Sequence, residues 1–67
     1  MKQNNPRAPG QVWEPKAWPG RLFCLLYRDE DMSDDEAEVW AVLDLETAEL
    51  RDLSFNMKIP THNKRVA

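Results

Sequence analysis

The chain has 67 residues, a formal net charge of −3 at pH 7, 42% hydrophobic residues and 31% charged residues. That length excludes more than one domain, and the composition excludes a disordered chain. The sequence has no apolar run close to the ~18 residues of a membrane-spanning helix and no signal-peptide core, and its single cysteine excludes an internal disulfide.

The first strand is predicted close to the N-terminus. Residues 1–9 are polar and contain two prolines, so we expect a flexible arm there, ahead of a single small domain over residues 10–60. Residues 11–14 give a short strand that ends at Pro15, because proline cannot donate to a sheet ladder. A loop with a Pro-Gly turn signal follows.

The strongest strand signal is the apolar run over residues 21–28. At strand periodicity, Phe23, Leu25 and Tyr27 share one face, and Leu22, Cys24 and Leu26 share the other. A strand that is apolar on both faces is typically central and covered on both sides. We therefore expect Phe23 and Leu25 in the core and Tyr27 partly buried. The second cover would come from barrel closure, from the tryptophan-bearing loop or from another subunit.

Residues 39–55 are predicted to fold back on themselves as a hairpin around a turn at residues 46–49. Directly opposed residues of such a hairpin share a face of the sheet. The opposed pairs on one face would be Trp40 with Phe55, Val42 with Leu53, and Asp44 with Arg51. An aromatic pair, an aliphatic pair and an opposite-charge pair on one ladder favour this arrangement, with Val42 and Leu53 in the core.

A helix over residues 34–53 is the alternative for the same stretch. Ser33 and Glu36 have the spacing of a capping box, and alanine, leucine and glutamate are good helix formers. Glu46 would then lie inside the apolar stripe of the helix. The pattern therefore favours strands, and the helix stays open as the alternative.

The fold class that follows is mainly β. We expect a small antiparallel sheet or an SH3-like partly open barrel of three to five short strands, with at most one short helical turn; the alternative is α+β. The layout is similar to that of SH3-like small barrels, with a Gly-Xaa-Val-Trp opening, a turn, an apolar strand, a long loop and a hairpin. Residues 56–60 would add a short edge strand, and residues 61–67 a loose C-terminal tail.

The sequence shows no pattern that supports catalysis, a cofactor or a metal site. His62 is the single histidine, and Cys24 has no histidine near it in sequence. The two glycines do not form a phosphate-binding loop. The aspartates that begin at Asp29 lack the glycine and the terminal glutamate of a calcium-binding EF-hand. We therefore expect no enzyme activity, no cofactor and no metal.

Acidic residues are concentrated in residues 29–38, which we call the acidic segment. They are Asp29, Glu30, Asp31, Asp34, Asp35, Glu36 and Glu38. The segment holds seven of the twelve acidic residues and no basic one, so the rest of the chain is net positive. We expect it to contact a basic surface of a partner protein, such as a nucleic-acid-binding enzyme, with Trp18 as an aromatic anchor. A purely solubilising segment is the alternative.

The function favoured by these features is that of a non-catalytic protein-binding module, a small acidic regulator or inhibitor of a host protein, of the kind that phages and mobile elements encode. A nucleic-acid-binding small barrel or transcription accessory comes second, and direct nucleic-acid binding is less favoured because the net charge is −3. A small phage structural or assembly subunit comes third, and it would form a homo-oligomer. The single Cys24 fits a reducing compartment, so we expect the cytoplasm of a cell or of an infected host cell, with no membrane partner.

Overall fold

The computed structural model describes residues 7–56 and 63–67. Within these ranges the chain forms five strands: β1 (Val12–Pro15), β2 (Phe23–Arg28), β3 (Ala37–Asp44), β4 (Leu50–Asn56) and β5 (Asn63–Arg65). They make one open antiparallel sheet in the order β4-β3-β2-β1-β5. The prediction of a mainly β chain with a small antiparallel sheet is confirmed. The helical alternative over residues 34–53 is wrong, because β3 and β4 occupy most of that stretch.

The core lies on one face of this sheet, which we call the inner face. It consists of Trp13, Phe23, Leu25, Trp40, Val42, Leu53 and Phe55. Trp13 in β1 meets Phe55 in β4 edge to face, with ring centroids 5.0 Å apart, although these strands are not neighbours in the sheet. The two edge strands also meet, since the side-chain amide of Asn63 donates a hydrogen bond to the Ser54 carbonyl at 3.0 Å. The sheet therefore curls around its core.

The hairpin of β3 and β4 is confirmed, but its register differs from the predicted one by two residues. Trp40 opposes Leu53 instead of Phe55, and Val42 opposes Arg51 instead of Leu53. A shift of two residues keeps every side chain on its face, whereas a shift of one would reverse the faces. The predicted burial of Val42 and Leu53 is therefore confirmed despite the wrong pairing.

The register is set by the turn, which spans residues 45–48 and starts one residue earlier than predicted. The amide of Asp44 donates to the carbonyl of Glu49 at 2.9 Å and closes the turn. Inside it, the Asp44 carboxylate accepts hydrogen bonds from the amides of Glu46 and Thr47 at 2.9 and 3.4 Å. Ala48 completes the turn in the left-handed region, with φ of 61°. Leu45, predicted to extend the strand, is exposed in this turn.

A β-bulge in β2 changes which side chains face the core. The register of β2 against β3 shifts between Leu25 and Tyr27, so Leu26 is an extra residue. Phe23 and Leu25 are buried as predicted, but the bulge turns Tyr27 to the opposite face, where its side chain is 62% exposed. The predicted partial burial of Tyr27 beside Leu25 is therefore wrong.

Both ends of the chain pack more closely than predicted where they are described. Residues 61–67 were expected to form a loose tail, but Asn63–Arg65 pairs with β1 as β5, and the Val66 amide donates to the Val12 carbonyl at 2.8 Å. This strand has little apolar character, so only its backbone hydrogen bonds reveal it. Arg7, from the predicted arm, lies 4.7 Å above the Phe55 ring. Of the edge strand predicted over residues 56–60, Asn56 is the last residue of β4 and the others lie outside the described residues, as does His62.

Candidate protein-interaction surface

The acidic segment connects β2 to β3, and Ser33 organises its centre. The Ser33 hydroxyl donates to the Asp29 carbonyl at 2.8 Å and accepts from the Val39 amide at 2.9 Å. The Ser33 amide also donates to the Asp29 carbonyl at 3.1 Å. These bonds tie both ends of the segment to one side chain, so the loop has a defined conformation.

Two of the seven acidic side chains shape the loop itself. The Asp29 carboxylate accepts a hydrogen bond from the Met32 amide at 3.2 Å. The Asp34 carboxylate accepts from the amides of Glu36 and Ala37 at 2.8 and 2.9 Å, and these bonds hold the pKa of Asp34 below its usual range. Aspartate at the start of a turn commonly makes such bonds, so these two residues have a local structural role.

Glu38 lies in β3, and its contacts stabilise the fold. Its carboxylate accepts hydrogen bonds from the Arg7 guanidinium and from the Trp40 indole N–H, the latter at 2.7 Å, and it lies 3.7 Å from Arg28. Burial alone would raise the pKa of Glu38, but these partners outweigh burial and lower it. The side chain is only 14% exposed, so it offers little to a partner.

The remaining carboxylates of the segment face solvent. Glu30, Asp31, Asp35 and Glu36 are all exposed. Glu30 forms an exposed ion pair with Arg28 at 3.6 Å, which contributes little to stability. Asp31 and Asp35 have no hydrogen-bond or ion-pair partner within residues 7–56 and 63–67. Met32 lies among them and is 60% exposed.

Trp18 is exposed, as its predicted role as an aromatic anchor requires, but it does not lie beside the acidic segment. Its side chain is 54% exposed and its ring centroid lies 6.1 Å from that of Phe23. The loop that carries Trp18 precedes β2, whereas the acidic segment follows β2. A six-residue strand separates them, and at ~3.3 Å per residue this is on the order of 15–20 Å. Trp40, which lies in β3 just after the segment, is buried and cannot serve as an anchor instead.

The exposed apolar residues on the outer face, opposite the core, were missed by sequence reasoning. Tyr27 and Leu50 are 62% and 75% exposed there. The two-sided apolar pattern of β2 is the available signal, but such a pattern typically indicates a strand covered on both sides. Within the described residues, no element covers this face of β2 near Tyr27.

The basic side chains are largely engaged by acidic ones. Among the described residues, Arg7, Arg21, Arg28 and Arg51 all form ion pairs with glutamate or aspartate. Lys16 and Lys64 are exposed beside a shallow groove between β1 and β5. Trp13 is buried, so its ring is not available to stack on a nucleic-acid base.

The described residues show no arrangement for metal binding and no membrane-spanning helix. Within residues 7–56 and 63–67, no group of three or more His, Cys, Asp or Glu side chains is placed to hold a metal ion. No helix in those ranges has the length and apolarity needed to cross a membrane. Cys24 is a free, half-buried thiol.

No protein-family model matches the chain, and neither the curated proteins nor the solved structures contain a match to it.

Proposed function

We propose that this protein is a non-catalytic protein-binding module, a small acidic regulator or inhibitor, and that the acidic segment contacts a basic surface of its partner. One observation carries the proposal: the segment is held by its own hydrogen bonds, while Asp31 and Asp35 are exposed and have no partner among residues 7–56 and 63–67. A loop that is ordered before binding loses less conformational entropy on binding. The ordered backbone of the loop therefore presents its exposed aspartates to a partner from defined positions.

The charge layout supports a basic partner. The arginines nearest to the segment, Arg7 and Arg28, are paired with Glu38, and Arg28 also lies 3.6 Å from Glu30. Among the described residues, neither arginine pairs with the exposed carboxylates of Asp31 and Asp35. A concentrated negative potential steers a basic protein during encounter and repels acidic ones. The proposal places the protein in the cytoplasm, where a single unpaired Cys24 is compatible with the reducing conditions.

The nucleic-acid alternative has less support. Three exposed basic side chains, Lys16, Lys64 and Arg65, form no ion pair among the described residues, and the exposed Trp18 lies in the same loop as Lys16. Binding to nucleic acid depends on many phosphate contacts from lysine and arginine. Three such basic side chains and a net charge of −3 give little attraction for a phosphate backbone.

The experiment is a pull-down from host lysate with the immobilised full-length chain. We compare the wild type with the double variant Asp31→Lys and Asp35→Lys. The control carries Glu46→Lys and Glu49→Lys, which changes the net charge equally at the other end of the sheet. The proposal requires one protein to be recovered by the wild type and the control and lost with the first variant. Equal recovery by all three proteins would contradict a role for the acidic segment.

A further inference from the structure

The outer face of the sheet has an apolar groove of about 170 Å³. Its lining residues are Leu26, Tyr27, Ala41, Leu50, Arg51 and Asp52. Tyr27 and Asp52 are both directly opposite Ala41, one from β2 and one from β4. Directly opposed side chains lie about 5 Å apart, so the small Ala41 forms the floor between two larger walls.

The bulge at Leu26 creates this groove. Without the extra residue, regular alternation would direct Tyr27 to the inner face with Phe23 and Leu25. The bulge instead directs the phenol outward, across β3 from Leu50 of β4, which lines the same groove and is 75% exposed. Bulges re-aim side chains in this way, and an exposed aromatic beside an exposed leucine is the composition of a binding hot spot.

The charges at the groove are negative in balance. Arg51 is engaged, because its guanidinium lies 3.0 Å from Asp44 and 2.8 Å from Glu49. Asp52 has no hydrogen-bond or ion-pair partner within the described parts of the chain. The acidic segment begins two residues after Tyr27. A ligand in the groove therefore meets an unpaired carboxylate at the wall and further carboxylates beyond Tyr27.

We infer that this groove receives one large apolar side chain of a partner protein, from a segment in which that side chain is flanked by lysine or arginine. The volume is close to that of an engineered cavity of roughly 150 Å³ that binds benzene, so one aromatic or leucine side chain fills it. A basic neighbour of that side chain pairs with Asp52. The inference rests on the proposed function and adds to it the apolar anchor, which is the groove at Tyr27 and not Trp18.

The test uses a short synthetic peptide, a tryptophan flanked on both sides by lysines, titrated into the full-length isotope-labelled protein and followed by NMR. Two control peptides replace the tryptophan by alanine or the lysines by glutamate. We expect the first peptide to shift the amides of Tyr27, Ala41 and Asp52. Tyr27→Ala should weaken binding roughly tenfold, as for a hot-spot residue, and Asp52→Asn by a few fold. Leu45→Ala, an exposed apolar site outside the groove, should leave the affinity unchanged.

Three results would overturn the inference. Equal binding of the alanine peptide, with shifts confined to residues 29–36, would show recognition by the acidic segment alone and would leave the proposed function standing. Shifts of the groove amides on concentrating the protein alone would show that a second copy is the occupant. A lack of binding by any peptide would also reject the groove, whereas the proposed function would still be judged by the pull-down.

Discussion

At the scale of single residues, Asp44 combines burial with charge at the point where the chain turns. Its side chain is fully buried, yet it faces the guanidinium groups of Arg21 and Arg51 and two turn amides. Burial alone would raise the pKa of Asp44, but the turn amides and the two guanidiniums together hold it well below its usual range. Asp44 is therefore ionised in the folded protein at neutral pH.

The low pKa of Asp44 makes stability depend on pH in acid. A carboxyl with a lower pKa in the folded protein contributes stability above its unfolded pKa of about 3.9, and this is lost as the pH falls through the folded pKa. We expect the melting temperature to fall as the pH is lowered below about 4. Asp44→Asn should melt several degrees lower at pH 7 and show a flatter acid dependence. Thermal melts over pH 7 to 2 check this, with Asp52→Asn, which changes an exposed unpaired carboxylate, as the control. Equal pH profiles for Asp44→Asn and wild type would contradict the account.

Ala48 is strained, because its φ of 61° lies in the left-handed region that L-residues other than glycine avoid. Glycine adopts this conformation freely, although it also gains entropy in the unfolded chain. We expect Ala48→Gly to raise the free energy of unfolding by up to about 1 kcal/mol. Urea denaturation measures the change, and Thr47→Gly, next to it in the same turn, should destabilise. A loss of stability in Ala48→Gly would show that the turn does not store this strain.

At the scale of elements, most of the fold can be predicted from the alternation of apolar side chains along the strands. Trp40, Val42, Leu53 and Phe55 are predicted to share one face by their period of two, and the structure places all four in the core. The register could not be obtained this way, because shifts of two residues satisfy the same pattern. The hydrogen bonds of Asp44 within the turn set the observed register. The turn lacks the Asn-Gly pair that marks a tight hairpin turn, so its position cannot be predicted from the sequence.

Ser33 is expected to hold the acidic segment in one conformation. Ser33→Ala removes the acceptor for the Val39 amide and the donor to the Asp29 carbonyl. We expect faster hydrogen exchange of the amides over residues 29–39 and a loss of about 1 kcal/mol in stability, the usual scale for a lost hydrogen bond. Ser54→Ala, on an exposed position of β4, is the matched control. Unchanged exchange in Ser33→Ala would mean that the segment is ordered by other contacts.

At the scale of the whole molecule, the candidate site was only partly predictable. The acidic segment is visible in the sequence because its charges are adjacent in the chain. The distance of Trp18 from it depends on which end of β2 each loop joins, and this follows from the topology. The exposure of Tyr27 depends on the bulge at Leu26, and no residue spacing in the sequence predicts that bulge. The curl of the sheet leaves a small core on one side and the proposed binding groove on the other.

The association rate with the partner recovered by pull-down, measured over a range of salt concentrations, tests the central claim most directly. For the wild type we expect fast association that slows as salt screens the acidic segment. The double variant Asp31→Lys and Asp35→Lys should associate roughly tenfold more slowly at low salt, with little salt dependence, and with an unchanged melting temperature. Equal association rates for both proteins at every salt concentration would show that the acidic segment only solvates the protein.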